Sequence, residues 1–251
     1  MLAAERRDLL ITRLRRDGKL VSRDVAAEFG VSEDCVRRDL REMAAAGLCQ
    51  RVHGGAMPAS PAIGSHAKRL GLVPGSKQAV AAKAAEMITP GATVILDGGT
   101  TGLAVARALR PDVTATIITH SPVTAAALMD YSSVDVIVLG GRLDKRSSCA
   151  CGAAAAEAAG GVTADLFLLV AAGVHPKAGL TAGDPDEAAM RRILVGRAAD
   201  TYVVASIEKI GTVAPYAVVG LPEVAGLITD APADHPAVQQ IRHQNVHVVQ
   251  A

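Results

Sequence analysis

The chain has 251 residues and a formal net charge of +1; half of its residues are hydrophobic, with only two Phe, three Tyr and no Trp. That length suits one large α/β domain or a small domain followed by a medium one, and so few aromatics argue against a single-stranded nucleic-acid binder that stacks bases. The longest wholly apolar run, 166–172, is far short of the roughly 20 residues that cross a bilayer, and 1–17 alternates charges with leucines, so a cytoplasmic protein with no membrane span is expected.

Cys35, Cys49, Cys149 and Cys151 include no Cys-x-x-Cys pair and no zinc spacing, so free thiols and no metal or cofactor are expected; only Cys149-Ala150-Cys151 admits a redox pair. Charge is uneven along the chain. Residues 1–57 carry eleven Lys or Arg against nine Asp or Glu, a net +2, and the remainder fifteen against sixteen, a net −1.

Leu10, Ile11 and Leu14 recur at helical spacing and predict a first helix over 5–16, stopped at Gly18. Ser22 is placed to cap a second helix over 23–29, with Val25, Ala26 and Phe29 on one side and Gly30 as the stop. A third, over 33–46, has Ser32 as its cap and Glu33 and Asp34 in its positive first turn. It buries Val36, Leu40 and Met43 and leaves Arg37, Arg38 and Arg41 outward. Residues 48–56 then read as a short β-wing with a glycine turn, bearing Arg51 and His53. This is the pattern of a winged helix-turn-helix that reads duplex DNA, with Ser32, Glu33, Arg37, Arg38, Arg41, Arg51 and His53 as the candidate DNA-contacting residues. The structural alternative is a small three-helix packing module with a solvated basic face.

The run from Val31-Ser32-Glu33-Asp34 through Val36-Arg37-Arg38-Asp39-Leu40 to Gly47 and Arg51-Val52-His53-Gly54-Gly55-Ala56 resembles, in register, the DNA-binding segment of the DeoR family of bacterial transcriptional regulators. Cys35 stands where that family usually has Thr.

Proline, glycine and serine in 58–65, closed by Pro74-Gly75-Ser76, read as a mobile connector, which divides the chain into a DNA-binding domain (1–57), a linker (58–76) and a second domain (77–251). Beyond it, an alanine-rich helix over 77–88 precedes apolar strands at 94–96, 115–119, 134–139, 166–170, 201–205, 226–229 and 246–249, alternating with helical segments. The fold class is therefore α/β, an N-terminal winged helix-turn-helix domain plus a C-terminal, mainly parallel α/β domain. Ligands of such sheets bind beyond the carboxyl ends of strands. Polar and glycine residues gather there: Asp97-Gly98-Gly99-Thr100-Thr101, His120-Ser121, Gly140-Gly141, Gly173 and Lys209. The first of these reads as strand, turn and helix start, an anion cradle or an ordinary capped turn.

The resemblance continues through Lys77, Asp97, Gly99-Thr100-Thr101, Gly140-Gly141, Gly152, Asp165, Gly179-Leu180-Thr181, Glu187, Lys209-Ile210-Gly211 and Thr229-Asp230, and so covers nearly the whole chain. It implies an effector domain similar in fold to ribose-5-phosphate isomerase that senses phosphorylated sugars or related metabolites. By that carry-over Asp97 accepts sugar hydroxyls, Thr100 and Thr101 hold phosphate, and Lys209 pairs with it. Gly98, Gly99, His120, Ser121, Gly141 and Gly173 complete the candidate effector site. Two positions depart from the family pattern: His120 replaces the usual Asn, and Ser206 replaces the Asp that commonly precedes the lysine by three residues.

The expected function is a sequence-specific regulator, a repressor by family habit, that binds double-stranded operator DNA as a homodimer or homotetramer and responds to a phosphorylated sugar or related metabolite. The rival is a sugar-phosphate isomerase-like enzyme using Asp97 or Glu208 as base and Lys209 as stabiliser; a third reading is an architectural DNA-binding protein. His175, Arg191 and Arg192 read as solvated surface or oligomer contacts.

Overall fold

The computed structural model describes residues 2–251. The first unit is built from helix α1 (Ala3–Asp17), strand β1 (Leu20–Val21), helices α2 (Ser22–Phe29) and α3 (Glu33–Ala45), and strands β2 (Cys49–Val52) and β3 (Gly55–Pro58). Leu10 and Leu14 of α1, Val25 of α2, and Val36, Leu40 and Met43 of α3 form its core. Each such side chain contributes about 1.5–3 kcal/mol by leaving water. Ser32 caps α3, its hydroxyl accepting from the Cys35 amide at 3.3 Å. Ser22 does not cap α2, whose N-cap is Val21; its side chain is buried.

The wing is a three-stranded sheet in the order β1-β3-β2. A Cβ on Gly55 would lie 1.8 Å from the Leu20 carbonyl oxygen, so pairing of β1 with β3 requires glycine there. Asp39, on the same side of α3 as Val36 and Met43, makes a buried pair with Arg6, with Nη2 3.1 Å from Oδ1, and ties α1 to α3.

Residues 58–76, expected as a mobile connector, lie against the second domain. The Ser60 amide donates to the Val213 carbonyl at 2.9 Å, and its hydroxyl donates to the Ala172 carbonyl at 2.6 Å. The His66 amide donates to the Arg146 carbonyl at 2.8 Å at the start of a short helix, α4 (His66–Leu70). Composition reports the conformational freedom of such a segment, but hydrogen-bond partners more than 70 residues away decide whether it is used.

Helix α5 (Pro74–Ala85), opened by its proline rather than at Lys77, leads into β4 (Thr93–Leu96), α6 (Gly99–Ala108), β5 (Ala115–Thr119), α7 (Pro122–Leu128) and β6 (Val134–Val138). A hairpin of β7 (Arg142–Asp144) and β8 (Cys149–Cys151) follows, then α8 (Ala153–Gly160), β9 (Ala164–Leu169), β10 (Gly173–His175), β11 (Gly179–Ala182), α9 (Pro185–Val195), β12 (Ala198–Val204), β13 (Tyr216–Ala217), β14 (Gly226–Thr229), α10 (Pro236–Arg242) and β15 (His247–Gln250). The main sheet has seven strands, all parallel, in the order β15-β14-β12-β9-β4-β5-β6. The hairpin and the small antiparallel β10-β11-β13 sheet are additions that hydrophobic alternation did not signal, because their strands are only two to four residues long.

Continuous apolar strands are what a sheet covered on both faces demands. Along β9, Phe167 and Leu169 enter a core shared with α8, α9 and α10, while Leu166 and Leu168 enter one shared with α5, α6 and α7. No helix among the described residues is long and apolar enough to cross a membrane.

Candidate functional site

The strand order reverses between β4 and β9: the chain steps outward through β5 and β6 on one side and through β12, β14 and β15 on the other. A crevice opens at the carboxyl ends where the connections diverge. Asp97, the first residue beyond β4, is fully buried there. Its Oδ1 accepts from the Gly98 amide at 2.7 Å, and its Oδ2 accepts from the Val170 amide and from Arg191 Nε, each at 2.8 Å. Arg191 also donates to Glu187, one turn back, at 2.9 Å. Burial opposes the charge of Arg191, but the two carboxylates outweigh it and hold the guanidinium above its ordinary pKa.

A cavity of about 140 Å³ lies beside this cluster, bounded by the strand-end residues Val170, Ala171 and Ala172, by Thr100, Lys77, Glu187, Arg191, Glu208 and Lys209, and by Arg146. Its roof is the interdomain segment: Ala62, Ile63, Gly64, Ser65, Arg69 and Leu72. The cavity walls are strongly cationic. Arg146 is matched by Asp184 at 2.8 Å, and Arg191 by Asp97 and Glu187. Arg69, Lys77 and Lys209 form no ion pair among the described residues. Lys209 Nζ donates to Thr101 Oγ1 at 2.8 Å, and Lys77 Nζ donates to the Arg69 carbonyl.

Burial pushes Lys209 down to about 8 and lowers Lys77 and Arg69 as well, with nearby carboxylates offsetting only part of the effect. Arg69 Nε and Glu208 Oε2 are buried without a hydrogen-bond partner. Such a site favours an anion that brings both charge and acceptors.

The candidate effector residues fall into two groups. Thr100 and Lys209 line the cavity, and Thr101 holds the Lys209 ammonium. Gly99, at φ +86°, leaves Arg69 Nη1 3.6 Å from where a Cβ would stand, over the start of α6. Asp97, Gly98, His120 and Ser121 sit behind the lining. A Cβ on Gly98 would be 2.1 Å from Cys149 Sγ, His120 Nε2 is 3.5 Å from Asp97 Oδ1, and Ser121 caps α7. His120 is buried, and burial holds its pKa low despite the neighbouring carboxylate. Gly141 packs against Ala155 and Gly173 beneath the Thr212 carbonyl, both outside the cavity wall.

Two residues read as solvated are not. Arg191 is 5% exposed, because its partner Asp97 lies 94 positions away in sequence. His175 is 6% exposed, its Nδ1 accepting from the Lys177 and Ala178 amides of the β10–β11 turn. Arg192 is exposed, as read. The Glu187–Arg191 spacing of four on a helix, between the buried Ala188 and Leu194, was the available signal for Arg191. Nothing in the sequence marked Arg69. Cys149 and Cys151, buried in β8, have thiols pushed up to about 12 by burial, unlike a reactive pair.

In the N-terminal unit, Arg37, Arg38 and Arg41 of α3 and Arg51 and His53 of the wing are exposed. Arg37 is held by Glu33 at 2.8 Å and by Asp34 at 3.5 Å, so Glu33 is its partner along the helix, whereas Arg38 makes no ion pair among the described residues.

Residues 74–231 match the family model of the DeoR C-terminal sensor domain, and residues 6–61 that of the DeoR-like helix-turn-helix domain. The HTH-type transcriptional regulator GlpR of Haloferax volcanii is 32% identical over 254 residues, covering 99% of this chain and 98% of that protein. The glycerol-3-phosphate regulon repressor of Escherichia coli K12 is 27% identical, with 99% of each chain covered. The transcriptional repressor GlcR of Bacillus subtilis is 28% identical, covering 92% of this chain and 89% of its own. Among solved structures, ribose 5-phosphate isomerase A of Methanocaldococcus jannaschii superposes with a TM-score of 0.40 at 18% identity, over 53% of this chain and 52% of that one.

Proposed function

Because the chain belongs to the DeoR family of transcriptional regulators, we propose that its operator affinity is set by a phosphorylated sugar or related metabolite held between Arg69, Lys77 and Lys209. It is a DNA-binding regulator with a small-molecule sensor domain and not an enzyme, so the isomerase-like alternative is set aside. The observation that carries the reading is a set of three cations around one cavity that form no ion pair among the described residues: half-buried Arg69 and the buried Lys77 and Lys209, both lysines with pKa lowered by burial. A phosphate supplies the missing charge, and the Thr100 hydroxyl and the first amides of α6 supply donors. A relative named for the glycerol-3-phosphate regulon is in keeping with a small phosphorylated effector.

The roof supplies the coupling. Residues 59–72 run without interruption from the wing strand β3 to α5, and Arg69 is the only cation of the three that comes from this roof. An anion that draws Arg69 toward Thr100 and Lys209 favours the roof as seen here, and through Ser60 and β3 it biases the placement of the DNA-binding unit. A homodimer or homotetramer then presents two such units to operator half-sites. In this reading Arg38, Arg41, Arg51 and His53 meet DNA, with Ser32 and Glu33 setting the start of the recognition helix and the orientation of Arg37.

The test is a thermal-shift screen of phosphorylated sugars followed by operator release with any hit, on the wild type and Lys209→Met. Ligand at 100 times Kd stabilises by about 2.7 kcal/mol. The wild type is expected to shift and release DNA, and the variant to bind operator without responding. An equal response from the variant would remove Lys209, and with it this pocket, from effector sensing.

A further inference from the structure

Resting on the anion-pocket reading above, we propose that Glu208 reads the effector's hydroxyl groups, so that the pocket selects a phosphorylated polyol or sugar over a phosphate monoester that has no donor.

Glu208 lies in a short 3-10 turn, Ile207–Lys209, beyond β12 and directly beside Lys209. The turn is fixed from outside: the Ile207 amide donates to Asp230 Oδ1 at 2.8 Å and to Ser76 Oγ at 3.3 Å. Ser206, standing where the family pattern commonly has Asp, donates its hydroxyl to Glu208 Oε1 at 2.8 Å. A carboxylate thus stands two residues after Ser206 and is held in one orientation by it. Its other oxygen, Oε2, is buried with no hydrogen-bond partner among the described residues, and Glu208 itself lines the cavity.

Neither neighbouring lysine satisfies that oxygen, since no Glu208 ion pair within 4.0 Å is found among the described residues. Lys209 is turned to Thr101 and Lys77 to the Arg69 carbonyl. Oε2 is therefore an unmet acceptor, held in place on a residue that lines the ligand space. A carboxylate repels a phosphate dianion, so the two ends of an effector are sorted by charge: phosphate toward Arg69 and the start of α6, donors toward Glu208. A monoester that lacks hydroxyls leaves a buried acceptor unmet, which is the kind of mismatch that discriminates strongly between ligands.

The experiment measures Kd by calorimetry on the full-length protein for inorganic phosphate, ethyl phosphate, glycerol 3-phosphate and ribose 5-phosphate, in wild type, Glu208→Ala, Glu208→Gln and Ser206→Ala. The wild type is expected to bind the better of the two hydroxylated phosphates at least about tenfold more tightly than ethyl phosphate. Glu208→Ala should bring that ratio to within about threefold while leaving ethyl phosphate binding equal or tighter, because a repelling charge has gone. Ser206→Ala should give an intermediate ratio by freeing the carboxylate. If Glu208→Ala does not fold, Glu208→Gln decides: it should tighten ethyl phosphate and reduce the ratio. A wild-type ratio near one, or a ratio unchanged in the variants, overturns the role of Glu208 while leaving the anion pocket standing. No saturable binding of any phosphate by the wild type overturns the anion pocket itself and this proposal with it.

Discussion

Lys209 offers the sharpest physical test, because its charge is held against burial. The residue is 3% exposed, and its pKa falls from 10.5 to about 8, mainly through desolvation that the adjacent Glu208 only partly offsets. That displacement corresponds to about 3 kcal/mol against the charged form. The ligand-free protein carries this cost in full below pH 8. As pH rises from 8 to 10.5 the native state releases the proton while the unfolded chain keeps it, so stability contributed at this position increases with pH across that window and levels off above it. A bound phosphate restores the charged form, and binding must then take up a proton wherever the free protein has lost it. Calorimetric titration in two buffers of different ionisation enthalpy should find a proton uptake that is small at pH 7 and rises toward one per effector as pH passes above 8. Affinity should weaken correspondingly as pH passes above 8. The Lys209→Met variant should lose both the proton uptake and the alkaline gain in stability. Uptake near zero throughout pH 7 to 9.5 in the wild type, with affinity intact, would refute the view that the effector's charge is matched by a proton on this lysine.

Arg38→Ala should weaken operator binding and lower the slope of log K against log salt by about 1, with an unchanged thermal melt, since the side chain is exposed and forms no ion pair among the described residues; mobility-shift titrations at several salt concentrations read this directly. Arg191→Met leaves Asp97 buried with its charge unmatched and should cost about 3–5 kcal/mol by denaturant unfolding, while adding Asp97→Asn should recover part of that loss. Gly98→Ala forces a methyl to within 2.1 Å of Cys149 Sγ and 2.9 Å of Ser121 Cβ, so a loss of about 1–3 kcal/mol is expected, partly relieved by Cys149→Ala.

Much of the architecture was legible because its signals are local. The helical spacing of Val36, Leu40 and Met43 and the apolar runs that became β4, β5, β9 and β14 each report burial within one element. The position of the crevice was legible too, since polar residues after Leu96 and Val204 mark strand ends. What remained hidden depends on partners far away in sequence. Asp97 reads as a ligand-facing carboxylate only while Arg191 is taken for a surface arginine. Once Arg191 Nε and the Val170 amide are found on the same oxygen, Asp97 becomes the anchor that aims Arg191, and through it Glu187, at the cavity. In the same way Arg69 lies in a stretch whose composition speaks of freedom, yet it closes the cavity over Gly99. These two revisions belong together. The carboxylate read as a contact is bonded to Arg191 and the Val170 amide, and the segment read as a tether supplies a cation, so the proposed effector pocket lies between the sheet's strand ends and the chain that leads to the DNA-binding unit. In the proposed mechanism no separate relay is needed, because the segment that roofs the pocket continues directly from the wing strand β3.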